Sequence, residues 1–233
     1  MANWTLEADE VVSLPLDELA LRVLTDYRDN NEWNWRNWML LAMQEAYPRR
    51  PDAVRALAEA WSWILNHGLV APNLDKGDHA VVVSRQGEAF LDRGAAWLRS
   101  VERLDVELVP ALERTARPQF LRGDFETAAF VAMKEVEVQL RAISGLGHDL
   151  VGVKLAQEAF RQGGPLHREE TQAGEAVAIM DLFKGAIGLF KNPASHRRVD
   201  LSDATEAAEI VLLADLLMRL LKRLEVEAQG EDG

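Results

Sequence analysis

Apolar side chains recur every third or fourth residue from Leu16 to Asp26, at Leu16, Leu19, Ala20, Val23 and Leu24, and again from Asn34 to Ala46, at Trp35, Trp38, Met39, Ala42 and Met43. A third run spans about Asp52 to Asn66, with Val54, Leu57, Ala58, Trp61, Ile64 and Leu65 inward and Gly68 just past its end. This period predicts three amphipathic helices, the third closed by a glycine C-cap. The pattern then changes. Gly68-Leu69-Val70-Ala71-Pro72 and the β-branched run Ala80-Val81-Val82-Val83-Ser84 flank a turn of Asn73, Asp75, Gly77 and Asp78, which predicts a hairpin. An amphipathic stretch, Glu88-Ala89-Phe90-Leu91, follows.

Beyond Leu91 every signal is helical. Pro110 suits a first turn, Arg117-Pro118 reads as a break, and Gly123 precedes a long helix from about Asp124 to Ile143, with Ala128, Val131, Ala132, Val136 and Leu140 on its apolar face. A shorter helix is expected near Leu150 to Phe160, then an exposed loop over Gly163 to His167, then a helix beginning at Glu169-Glu170-Thr171 and running to Lys191. The last helix should run from Asp203 as N-cap to Leu224, leaving an acidic tail. Its apolar residues fall on two faces: Ile210, Leu213, Leu217, Leu220 and Leu224 form one stripe, while Leu212, Leu216 and Met218 lie elsewhere. A helix buried on two faces needs two neighbours, either in a bundle centre or across a homodimer seam. The expected organisation is therefore a mixed unit over 1–94, an all-α unit over 95–226 and a tail over 227–233.

Composition narrows the function classes. Cysteine is absent, which excludes disulfides, cysteine-ligated zinc and a thiol nucleophile. The five histidines, His67, His79, His148, His167 and His196, show no metal-ligand spacing, so neither a metal nor another cofactor is expected. A formal charge of −12 makes the chain a poor general polyanion binder, and nucleic acid would have to meet a local basic patch. No apolar run is long enough to span a bilayer, and Met1 to Glu7 lacks the features of a signal peptide; no membrane partner and a cytoplasmic location are expected.

Candidate chemistry concentrates in Lys191-Asn192-Pro193-Ala194-Ser195-His196, at the end of the apolar run Leu182 to Phe190. Cleavage of a phosphodiester without a metal needs one group that moves a proton near neutral pH and another that neutralises charge growing on the phosphate. Lys191 and His196 are such a pair. The same residues also suit helix termination, since a cation favours a helix C-terminus and Asn-Pro stops the helix.

Context separates these readings. From about Val109 to Val226 the chain resembles the Ymh-type family of bacterial proteins, which is similar to a branch of the HEPN superfamily of all-helical domains. Four pieces carry the resemblance: Gly123 to Phe130 leading into Lys134-Glu135-Val136-Glu137; Ser144-Gly145-Leu146 with Asp149 and Gly152; Leu182 to Gly188; and Lys191 to His196. Active HEPN domains carry an Arg, a polar residue after it, and a His four to six residues beyond the Arg. Asn192 and His196 match, and Lys191 stands at the Arg position, a mobile point charge in place of a planar fork. The resemblance implies a metal-independent endoribonuclease in which His196 transfers the proton, Lys191 clamps the phosphate and Asn192 orients it. Glu137, or Glu135 beside it, would reach the site from the long helix, and Arg197 and Arg198 would contact the RNA backbone. It further implies a homodimer or higher oligomer and a role in a bacterial antiphage or toxin-like system, with a protein partner there.

Three helices, a hairpin and a further helix resemble a winged helix-turn-helix, whose third helix is the usual reader of the major groove. Arg49, Arg50 and Arg55 are its candidate DNA contacts, with Lys76 and Arg85 near the wing and Asp52, Glu59, Asp75 and Asp78 opposing them. Trp33, Trp35 and Trp38 cannot share one helical stripe, so one of them is free to stack on a base or join an interface, unless all belong to the core. Three functions stay open: an RNase effector, a catalytically silent HEPN-like module that binds nucleic acid or protein, and a dimeric winged-helix transcription regulator.

Overall fold

A computed structural model describes residues 6–167, 173–191 and 201–230. The molecule is mainly helical, and two antiparallel strands form its one sheet among the described residues. The chain divides into two compact units, Met1–Leu98 and Arg99–Gly233.

The first unit contains α1 (Ala8–Ser13), α2 (Leu16–Asp29), α3 (Trp35–Leu41) continuing as a π-helical turn (Ala42–Ala46), and α4 (Pro51–Asn66). Pro51 sits in the first turn of α4, where its missing N–H costs nothing, and the Asn34 side chain caps α3 by accepting from the Asn37 amide. Strand β1 (Val70–Pro72) pairs with β2 (Val81–Val83) in the register Val70 opposite Val83. A contact the sequence pattern does not show joins Asn34 to Ala80 as an antiparallel bridge: the Trp35 amide donates to the His79 carbonyl and the Val81 amide to that of Trp33. The segment entering α3 thus lies along the hairpin.

The core of this unit is aromatic. Tyr27, Trp38 and Trp61 are buried together, and Trp35 stacks on Trp61 with ring centroids 5.9 Å apart. The three clustered tryptophans therefore take different environments: Trp38 is fully buried, Trp35 partly so, and Trp33 is exposed beneath the Lys76 ammonium, 5.0 Å from its ring. Burial pushes the Tyr47 hydroxyl up to about 12, with the nearby Asp26 carboxylate adding to the effect.

The segment α5 (Arg85–Arg103) is two helices that meet in a kink at Gly94, whose φ of 82° and ψ of 177° are not helical, and the division between units falls after Leu98.

The second unit continues with α6 (Pro110–Leu121), α7 (Phe125–Ser144), α8 (Gly152–Phe160), α9 (Ala173–Ala186) prolonged by a π-helical turn (Ile187–Lys191), and α10 (Ala204–Gly230). Its core joins Leu112, Phe120, Met133, Leu140, Phe183 and Leu217. Two boundary expectations need correction. Pro118 lies inside α6, because burial of Leu112, Ala116 and Phe120 outweighs the roughly 3 kcal/mol cost of an internal proline, and the chain bends away only after Leu121. The acidic tail is helical as far as Gly230, since α10 simply continues beyond Leu224. The expected start of α9 at Glu169-Glu170-Thr171 lies outside the described residues.

Most of the two-faced apolar surface of α10 is covered within its own unit. Ile210, Leu217 and Met218 are buried, and Leu212, Leu213, Leu220 and Leu224 pack against the same core, whereas Leu216 is exposed. Asp203 begins the helix by accepting from the Thr205 amide at 2.8 Å.

Gly87, one turn into α5, shows how closely that helix meets the hairpin: an added Cβ would lie 2.0 Å from the Leu69 carbonyl oxygen. Gly87→Ala is expected to destabilise the first unit by at least about 3 kcal/mol, comparable to severe overpacking. Gly77→Ala, with open space around it, should cost less than about 1 kcal/mol. Urea denaturation of the two variants tests the contrast.

Candidate functional site

The candidate site is built around a buried carboxylate. Glu137 stands on the inward face of α7, among Val136, Met133 and Leu140, and is only 6% exposed. Burial by itself raises a carboxyl pKa, yet hydrogen bonds from Arg141 and Lys191 outweigh it, and the Glu137 pKa lies below its ordinary value. The group is ionised at neutral pH.

Three donors from three parts of the chain make this so. Arg141, one helical turn along α7, donates from Nη2 to Oε1 at 3.0 Å. Lys191, the last residue of the π-helical turn, places Nζ 3.2 Å from Oε2. The Gly152 amide donates to Oε2 at 2.9 Å. That amide is the first of α8, whose own N-cap residue, Val151, has no side-chain acceptor to offer. Glu137 thus caps α8 from another helix, and the positive end of α8 favours its charge. Arg141 Nη2 also donates to the Leu150 carbonyl at 2.8 Å, tying the α7–α8 connection to the same centre.

The π-helical turn has its own cause. At Gly188 an added Cβ would meet Val153 at 3.1 Å, so the glycine lets the turn approach α8 closely. Buried Ile187 anchors it in the core beside Phe183, and the widened turn ends with Lys191 against Glu137. Turns of this kind often mark functional positions.

Of the residues the sequence singles out, Glu137 and Lys191 come together. Glu135 is partly buried one position before Val136 and is not part of this contact. Asn192, His196, Arg197 and Arg198 lie outside the described residues. In the first unit, Arg49 and Arg55 are exposed. The Arg50 guanidinium is held by Asp52 at 2.9 Å and Asp9 at 2.8 Å, and its hydrogen bonds hold the Asp52 carboxyl down at about 2. Arg141 and the Gly152 amide are site members that sequence reading missed. The four-residue spacing of Glu137 and Arg141 was visible, but it resembles any surface i,i+4 pair.

Residues 107–221 match the Ymh family model. That family is described as a protein of unknown function (Hypoth_ymh). The match spans the four motif pieces read as Ymh-like, including Lys191 to His196, and just under half of the chain. No curated protein and no solved structure matches the sequence. Among the described residues, no helix is long and apolar enough to cross a membrane, and no His, Asp and Glu group could hold a metal ion.

Within the Ymh segment, the Glu137 centre should be tied to pH. A carboxylate whose folded pKa is depressed contributes stability that is fully present above its unfolded pKa and is lost as pH falls through the folded value. Glu137→Gln removes the carboxylate that Arg141 and Lys191 share, and is expected to cost roughly 3 kcal/mol at pH 7. The difference from the unsubstituted protein should shrink as pH falls below about 4, where the unfolded carboxyl is protonated. Urea titrations at pH 7 and pH 3 measure it; an equal loss at both would refute ionised Glu137 as the cause.

Proposed function

We propose that this protein is a HEPN-type, metal-independent endoribonuclease, with the Ymh segment as its catalytic unit. The observation that carries this reading is the Glu137–Lys191 ion pair, which fixes the start of the Lys191-Asn192-His196 spacing to the long helix α7. An ordered cation there can meet a phosphate, and an imidazole five residues on can move the proton of an RNA 2′-hydroxyl as it attacks the adjacent phosphorus. Asn192 orients that phosphate, and Arg197 and Arg198 contact neighbouring ones. Assembly as a homodimer would bring two such sites together, and Val177, Leu182 and Leu189, exposed on α9 and its π-helical turn, support a covered face on this unit. An antiphage or toxin-like role with a protein partner belongs to the same reading.

The first unit is read as a winged helix, supported by the order of α2, α3 and α4, the hairpin, and the bridge between the segment before α3 and β2. The outward side of α4 carries Asp52, Arg55, Glu59, Ser62 and Asn66. With Arg50 held by two carboxylates, this side lacks the clustered cations of a duplex reader. It supports a sensor or protein-contact module over a DNA-reading one.

A second reading, a catalytically silent module that binds RNA, is favoured by the same ion pair, because Glu137 offsets the Lys191 charge.

Purified protein incubated with single-stranded RNA in EDTA distinguishes them. Cleavage is expected without divalent metal, and His196→Ala should reduce it by about a hundredfold or more. Lys191→Arg should preserve or raise it, since a guanidinium restores the planar fork. If neither the unsubstituted protein nor Lys191→Arg cleaves RNA, the enzyme reading is refuted and the silent module replaces it.

A further inference from the structure

We propose that the exposed side of α10 from Leu216 to Val226 is a docking groove for an acidic amphipathic helix of a partner protein. It rests on the reading above only for the existence of that partner, and is measured without RNA cleavage.

The groove has a volume of about 510 Å³ and is lined by Leu216, Arg219, Lys222, Arg223 and Val226. Their spacing puts all five on one side of α10 over about three turns, roughly 15 Å. Its surface is largely apolar: Leu216 is 51% and Val226 60% exposed, although the core takes up most other leucines of this helix. The aliphatic stems of the three cations extend that surface. Apolar side chains left in water along a helical face suit a partner helix that brings its own anchors three and four residues apart.

Charge selects the occupant. The chain as a whole carries −12, yet three cations and no carboxylate line this groove. Arg219 is held by Asp215 at 2.6 Å and by the Glu107 carbonyl, so its guanidinium is oriented before anything docks. Asp215 is buried and also accepts from the Val109 amide, whereas Lys222 and Arg223 are exposed and make no ion pair among the described residues. An acidic segment repelled by the net charge of the molecule is attracted here, which steers it to this face.

Two other occupants fit less well. Single-stranded RNA would meet the cations but leave Leu216 and Val226 against water, and no aromatic ring lines the groove for a base to stack on. A second copy set groove on groove by a two-fold axis would place Arg219, Lys222 and Arg223 against their own kind.

The probe is a synthetic three-heptad helix of leucine anchors and glutamates, with a twin in which lysine replaces every glutamate. Binding to the full chain is read by fluorescence anisotropy between about 50 and 200 mM salt. The acidic helix is expected to bind at least about tenfold more tightly than its twin, and less tightly as salt rises. Lys222→Glu with Arg223→Glu should reverse that preference, and Leu216→Ser should weaken the acidic helix about fivefold or more. Leu74→Ser, at a 93% exposed leucine of the hairpin turn, should change nothing. All these positions are exposed, so melting temperatures should stay within a few degrees. If the paired glutamates unfold the chain, Lys222→Gln with Arg223→Gln decides in their place, with an expected weakening of about threefold or more. Equal binding of the two helices, or undiminished binding by the groove variants, overturns the proposal. Loss of RNA binding in Lys222→Glu with Arg223→Glu, without loss of the acidic helix, makes this a nucleic-acid surface, and a smaller oligomer of Leu216→Ser in light scattering makes it a seam between copies; either result overturns it. Acidic-helix binding that needs the groove, in a protein that cleaves no RNA even with Lys191→Arg, supports the proposal while the enzyme reading fails.

Discussion

A carboxylate removed from water must be given donors, and wherever they come from, those parts of the chain are fixed to one another. Glu137 takes its donors from its own helix, from the first amide of α8 and from the last residue of the π-helical turn. Removing any of the three leaves an ionised group under-compensated in a core built from Val136, Leu140 and their neighbours. Buried ion pairs contribute little net stability compared with apolar residues of similar volume, so this arrangement is better understood as specifying geometry. It sets how α8 begins and where the chain points as it leaves Lys191.

That constraint also explains the glycines around it. Gly152 gives the amide that Glu137 caps, and Gly188 lets the π-helical turn lie against Val153. Both are in the motif pieces that mark the Ymh segment. The motif pieces are far apart in sequence because each contributes a different wall: α7 the carboxylate and a guanidinium, α8 a helix end, and the π-helical turn an ammonium.

Local signals carried much of the fold. Asp124 accepts from the Thr127 amide and Gly145 closes α7, so that helix was readable at both ends. Helix α4 and the hairpin of the first unit were readable for the same reason, since Pro51, Gly68 and the Asn-Asp-Gly turn act within a few residues. Pro118 misled because a local rule met a tertiary force, the burial of Phe120 and its neighbours. The two faces of α10 could not be apportioned from its sequence, since a bundle neighbour and a second copy ask for the same leucines; here Leu217 and Met218 meet their own unit and Leu216 does not. Of the site, Lys191 and Glu137 were legible as candidates. Arg141 was hidden by looking like a surface partner of Glu137, and the pairing of Asn34 with Ala80 by the forty-odd residues between them.

A lysine at position 191 has a physical meaning in this setting. A lysine needs only one oxygen, so Arg141 keeps the other together with the Leu150 carbonyl that orients it. The carboxylate thereby holds Lys191 in place at the end of the π-helical turn.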